Sequence, residues 1–251
     1  MEAEETGIPD ESSALQSILK GHLSVEQFFA SVWQTSCAIF PQSESTSDAV
    51  EGNANSTPVF EGLIENSWNV LIQLLEVSSK RSEPSGGSKI PSAAEFIDNE
   101  KDSIFLPLLF KNKAILSYDD RAIYNHSLFA AYLDGCSVVV NHADRISPTI
   151  AQLCNDLQRS FPHVYANIYL TPPASQTAPP HADDRDVFVI QLMGSKEWTV
   201  YQRIPVPYPY PNEQVGKDGV EVPPSITNGP IMIQRILRPG DVLVRLTLIL
   251  Y

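Results

Sequence analysis

Val187-Phe-Val-Ile-Gln-Leu192, then Gly194-Ser195, then Glu197-Trp-Thr-Val-Tyr201 is the stretch on which the fold turns. Both apolar runs are short and rich in β-branched and aromatic residues, and small turn-formers separate them, which favours strands over a buried helix. Gly194-Ser195 suits a two-residue turn joining the two strands. Alternation along the second run puts Lys196, Trp198 and Val200 on one face and Glu197, Thr199 and Tyr201 on the other. Working outward, further strands are expected at residues 137–140, 165–170 and 231–237, and from Val242 onward. From about Phe105 these short runs, punctuated by prolines, have the pattern of an all-β barrel or sandwich. One helix interrupts it: Ser147 caps, Pro148 takes the first helical position, and Ile150, Leu153, Cys154 and Leu157 give a buried stripe.

Upstream the character is helical. Ser13 to Leu19 reads as a short helix stopped by Gly21, and Ser24-Val-Glu-Gln27 is a capping box opening a helix through Phe28, Phe29 and Trp33. Leu63, Trp68, Leu71, Leu74 and Leu75 recur at helical spacing, so residues 62–77 form an amphipathic helix that needs a larger body to pack on. Two stretches near 42–57 and 78–92, rich in Ser, Asn, Gly and Pro, read as mobile loops. The expected organisation is a helical region over 1–103 and a mainly β domain over 104–251, without internal repeats.

The whole chain has 251 residues, 43% hydrophobic and 19% charged, enough to bury a sizeable core in one domain with extensions. No apolar run approaches the roughly 18–20 residues of a membrane helix, and the start, MEAEETGIPDE, is acidic where a leader would be basic. A cytosolic or nuclear location is the default expectation. Cys37, Cys136 and Cys154 lie far apart without C-x-x-C spacing, so neither a zinc knuckle nor a disulfide framework is suggested. A net charge of −13 argues against tight sequence-independent nucleic-acid binding and favours a basic protein segment as partner.

His181-Ala-Asp183 is the sharpest chemical signal. An i, i+2 pair on extended backbone points both side chains to one face, and imidazole plus carboxylate is two-thirds of a facial iron triad. The bland alternative is a loop histidine beside solvated turn residues Asp183 and Asp184. The tripeptide recurs at His142-Ala-Asp144, where a strand ends and a capped helix is about to start, so Asp144 is expected to serve the turn. Lys196 points either at a bound anion such as a dicarboxylate, or lays its stem on Trp198 with its ammonium in water. Asn167 and Tyr169 share a face of the preceding strand and either donate into the same cavity or pair across strands.

The ordered string Asn167-Ile-Tyr-Leu-Thr-Pro-Pro173, Pro180-His-Ala-Asp183, Val187 to Leu192 and Gly194-Ser-Lys-Glu-Trp198 resembles the JmjC ribosomal-oxygenase family. The resemblance extends upstream through Gly135 to Asn141 and Ala143-Asp-Arg145, and downstream to Arg238-Pro-Gly-Asp-Val-Leu243, so it spans roughly residues 104–243. It implies a double-stranded β-helix of the jelly-roll or cupin type, with Fe(II) and 2-oxoglutarate as cofactor and cosubstrate. The implied activity is protein oxygenation, as a ribosomal-protein histidyl hydroxylase or a histone lysine demethylase. It implies His181 and Asp183 as iron ligands, Lys196 as partner of the distal carboxylate of 2-oxoglutarate, and Asn167 with Tyr169 in the cosubstrate pocket. The implied location is the nucleus or nucleolus, with the cytoplasm as alternative.

The family's pattern continues past this string to a distal histidine, the third ligand, whereas here Leu243 is followed by Val244-Arg-Leu-Thr-Leu-Ile-Leu-Tyr251 and no histidine follows His181. The expectation is therefore a β-helix incomplete at its C-terminal side, with an unpaired sheet edge and two of three protein ligands. On this reading the tail is a substituted ending of a truncated form. The competing function is a catalytically inactive protein-binding module that keeps the pocket.

Overall fold

The computed structural model describes residues 13–41, 60, 62–71, 107–117, 120, 124, 128–206, 209–211, 213–216 and 220–245. The stretches 42–57 and 78–92 and the C-terminal half of the helix expected over 62–77 lie outside them. The fold is mainly β with antiparallel pairing throughout, and the chain divides into two units. The first unit takes Met1–Glu65, Ala151–Val164 and Pro179–Tyr251; the second takes Asn66–Ile150 and Tyr165–Ala178.

In the first unit, helix α1 (Ser13–Leu19) buries Leu15, Ile18 and Leu19. Asp156 accepts the Ala14 N–H at 2.6 Å, satisfying an amide that the start of a helix leaves open. Lys20 and Gly21, both at positive φ, turn the chain out of α1. Helix α2 (Val25–Ser31) opens with both bonds of the expected capping box: Gln27 N–H to Ser24 Oγ at 3.1 Å and Ser24 N–H to Gln27 Oε1 at 3.0 Å. The chain then forms strand β1 (Ala38–Phe40), a strand within a stretch expected to be helical.

Strand β1 pairs with β9 (Val242–Arg245), and β9 pairs on its other side with β6 (Val187–Ile190). The strand before the expected unpaired edge is thus the centre of a three-stranded sheet, order β1-β9-β6. Strand β7 (Lys196–Tyr201) pairs instead with β8 (Ile231–Leu237) in a separate two-stranded sheet. This corrects the two-residue turn: Gly194-Ser195 joins two sheets and closes no hairpin. The reason is a second crossing beside it. The Arg238–Asp241 corner leads from β8 into β9, and Gln191 N–H bonds Asp241 O at 3.0 Å while Gly240 N–H bonds Gln191 O at 2.8 Å. Both connections leave their sheets at one shared, mutually satisfied corner.

Strand alternation explains how the three-stranded sheet is covered. Ile39, Val189 and Leu243 face the two-stranded sheet, packing with Trp198, Val200, Ile233 and Leu237. Phe40 and Phe188 face the other way, against Phe28 and Trp33. Buried on both faces over Val242–Val244, β9 is apolar at consecutive positions there, as such strands are.

The second unit is a four-stranded sheet, order β3-β2-β4-β5, from β2 (Leu108–Lys111), β3 (Ala114–Ile115), β4 (Ser137–Val140) and β5 (Ile168–Leu170). A helix, Leu128–Leu133, precedes β4, an addition to the one helix expected in this region. The expected helix Pro148–Leu157 is present, with Ser147 Oγ accepting the Ile150 N–H at 3.4 Å and Ile150, Cys154 and Leu157 buried.

Beside β2, Asp134 accepts hydrogen bonds from Lys111 Nζ at 2.6 Å and from the Tyr124 hydroxyl. Bonding to Asp134, then burial, pushes the Tyr124 phenol up to about 12. A group whose pKa rises on folding contributes stability below its unfolded value and loses it as pH climbs through the folded one. Tyr124→Phe should therefore shrink the fall in stability between pH 10 and about 12. Urea unfolding at both ends of that window, wild type against variant, checks this; an equal fall in both contradicts it.

Candidate metal and anion site

The site begins with two prolines. Pro179-Pro180 fixes the backbone ahead of His181, and the Pro179 carbonyl lies 2.8 Å from His181 Nδ1. A carbonyl only accepts, so Nδ1 carries the proton and donates, which leaves the lone pair of the neutral ring on Nε2. That Nε2 stands 3.6 Å from Asp183 Oδ2, with the two side chains only 18% and 21% exposed. The residue between them, Ala182, points to the opposite side and packs with Tyr201 and Ile226. His181 and Asp183 thus share one face, as an i, i+2 pair on extended backbone does.

What fixes this tripeptide is a short bridge the sequence did not reveal. Ala182 N–H bonds Val215 O at 2.8 Å and Val215 N–H bonds Ala182 O at 3.1 Å. Gly216 follows at φ +89°, and a Cβ there would lie 2.6 Å from His181 Cα and 2.8 Å from its Cβ. Only glycine allows that approach. The run Val215-Gly-Lys-Asp-Gly219 signals a turn in sequence, but nothing in it names His181 as the neighbour. The side chain of Asp184, read as a solvated alternative, is only 3% exposed and meets Arg185 Nε at 3.5 Å and Gln214 Nε2 at 3.4 Å.

Two acceptors, Nε2 and Oδ2, thus face each other in a half-dry setting, a poor arrangement unless a proton or a cation lies between. Their separation is less than two metal–ligand bonds of about 2.0–2.2 Å laid end to end. The Nδ1–carbonyl bond is the support that metal-ligating histidines carry. The pair can therefore supply two donors to a first-row divalent metal, and among the described residues no third His, Cys, Asp or Glu joins them.

Lys196 opens β7 in the same unit, its Nζ 5.3 Å from the centroid of the Trp198 ring. Burial pulls its pKa below the ordinary lysine value. Asn167 and Tyr169 belong to the second unit. There Asn167 Oδ1 accepts the His142 N–H at 3.0 Å, and Tyr169 is 56% exposed. The second H-x-D is bound into the same turn: Asp144 Oδ1 accepts the Ala166 N–H at 2.9 Å, and His142, at φ +52°, packs against the Tyr165 ring at a tilt of 35°. Asp144 serves the turn, as its context suggested.

The JmjC domain model matches residues 139–244, which contain His181, Asp183 and Lys196. A bifunctional lysine-specific demethylase and histidyl-hydroxylase NO66 from Drosophila persimilis is 35% identical over 130 residues, 51% of this chain and 18% of its own. Ribosomal oxygenase 1 of Rattus norvegicus is 34% identical over 119 residues, 46% of this chain and 19% of its own. The matched stretch is thus under a fifth of either relative. The structure of YcfD, a ribosomal oxygenase from Escherichia coli in complex with cobalt and 2-oxoglutarate, aligns with a TM-score of 0.45 at 15% identity, over 91% of this chain and 47% of that one. Residues 139–244 of this chain match the JmjC domain model, and ribosomal oxygenases are among the proteins to which the chain is similar.

Proposed function

We propose that the chain is an Fe(II)- and 2-oxoglutarate-dependent protein oxygenase of the ribosomal-oxygenase type. The observation that carries this is the His181–Asp183 pair, Nε2 to Oδ2 at 3.6 Å with Nδ1 tied to a carbonyl. These two side chains would hold the iron. When bound, the iron would supply the oxidation in which O2 gives one oxygen atom to 2-oxoglutarate, yielding succinate and CO2, and the other to a substrate C–H bond, yielding an alcohol. Lys196 would take the distal carboxylate of the cosubstrate, whose negative charge relieves the cost of its burial. The resemblance adds Asn167 and Tyr169 to the cosubstrate pocket as part of the same proposal. The substrate would be a basic protein segment, a ribosomal-protein histidine or a histone-tail lysine, which the net charge of −13 favours. A nuclear or nucleolar location belongs to this reading, with the cytoplasm as alternative.

Anaerobic titration of the purified chain with Fe(II), with and without 2-oxoglutarate, tests it. Binding that 2-oxoglutarate tightens and that His181→Ala weakens by at least about 100-fold is the expected result. Wild-type protein that takes no iron would overturn the oxygenase reading and leave a protein-binding module.

A further inference from the structure

The connection from the end of β7 to the bridge at Val215 carries one exposed ring on a fixed frame. Near its start Ile204 packs against the core of Val200, Leu237 and Leu243. At its end Val215 is bonded to Ala182, and Gln214 Nε2 reaches Asp184 Oδ1 at 3.4 Å. Between these anchors Tyr210 is 80% exposed, more than any other large hydrophobic side chain among the described residues. Its backbone is held twice by one residue: Glu213 N–H bonds Tyr210 O at 2.9 Å, and Glu213 Oε2 accepts the Tyr210 N–H at 2.9 Å. Pro209 and Pro211 flank it, each fixing its own φ, and Pro211 takes the turn position where proline is favoured. A stiff backbone thus presents an aromatic ring to solvent, contact area that costs little conformational entropy on binding.

This turn stands close to the metal pair. It keeps Tyr210 within about 7 Å of Glu213, and only Gln214 separates Glu213 from Val215. At about 3.6 Å per residue, and about 5.5 Å across the bridge to Ala182, the Tyr210 backbone lies within about 20 Å of the His181–Asp183 tripeptide. An extended peptide covers that distance in about six residues. We propose that Tyr210 and Glu213 form a subsite for an arginine or lysine of the protein substrate, the cation lying on the ring with the carboxylate as its counter-charge. A cation is attracted both to an aromatic face and to a carboxylate, so one turn holds the same side chain in two ways. This rests on the oxygenase reading and narrows its substrate to a segment with a basic residue within about six positions of the one oxidised.

The test uses the full chain with Mn(II) and 2-oxoglutarate under anaerobic conditions, and two labelled synthetic peptides whose binding is followed by fluorescence anisotropy. One peptide has a central histidine with arginine and serine alternating over about six residues on either side; the other has glutamine for every arginine. Tyr210→Ala and Glu213→Gln should each weaken the arginine peptide about 3-fold, and together about 10-fold, as an exposed cation–π contact and an exposed ion pair do. Glu213→Gln keeps an acceptor for the Tyr210 N–H, so the turn survives and only the charge is lost. Neither variant should change binding of the glutamine peptide or the affinity for Fe(II). A wild-type chain that binds neither peptide overturns the subsite, and so does a loss of equal size on both peptides. If iron binds and both variants hold the arginine peptide like wild type, the subsite falls and the oxygenase reading stands. An arginine-dependent loss in a chain that takes no iron does the reverse, supporting the cation subsite and removing the oxygenase.

Discussion

Gly216→Ala is expected to cost about 3 kcal/mol or more of stability and to loosen iron binding at the same time. Two effects add. At φ +89° an L-residue is strained on its own account. The new methyl would also press on the Pro180 carbonyl and on His181 Cα, which are backbone atoms and cannot rotate aside. Either the 215–216 segment withdraws, breaking both hydrogen bonds to Ala182, or His181 moves out of line with Asp183. His181→Ala separates the two consequences, since it removes the ligand and leaves the bridge. Thermal unfolding and Fe(II) titration of both variants should show Gly216→Ala losing stability and affinity together, and His181→Ala losing mainly affinity. A Gly216→Ala protein that melts and binds iron like wild type would sink the idea that this bridge holds the ligand.

Leu243→Ala should cost about 2–5 kcal/mol, the range for a large-to-small change at a site that cannot collapse. Leu243 is fully buried at the middle of β9, opposite Ile39 on one neighbour and Val189 on the other. It also touches the second sheet through Val200 and Leu237. Neighbours anchored in four separate strands cannot all close on the same void. Since a domain is typically stable by about 5–15 kcal/mol, such a loss is a large share. Urea unfolding measures it, and Val220→Ala, at an exposed position, is the control expected to change little. A loss below about 1 kcal/mol would mean that the two sheets are not packed through this residue.

Signals confined to a few adjacent residues were legible in the sequence. The capping box at Ser24 and the extent of α1 and β8 follow from side chains near one another along the chain, and so does the shared face of His181 and Asp183. Pairing was not legible. Gly194-Ser195 looks like a hairpin turn locally, and only the corner at Arg238–Asp241, far along the chain, sends β6 and β7 into different sheets. Ala38–Phe40 is too short to show a period, and it becomes a strand only because β9 lies beside it. Gly216 escapes for the same reason, since a close approach is a property of tertiary neighbours.

The pairing of β1 with β9 also sets an order of events in time. Phe40 and Ile39 meet partners about two hundred residues further along, a separation whose loop-closure entropy must be met before the contact returns anything. Until β9 is in place, β1 and β6 have no common strand to join them, and the apolar faces they carry stay open to solvent. The three-stranded sheet is therefore a late event on the folding route. In refolding experiments, substitutions in β1 should speed unfolding and leave the folding rate nearly unchanged, the kinetic mark of contacts absent from the transition state.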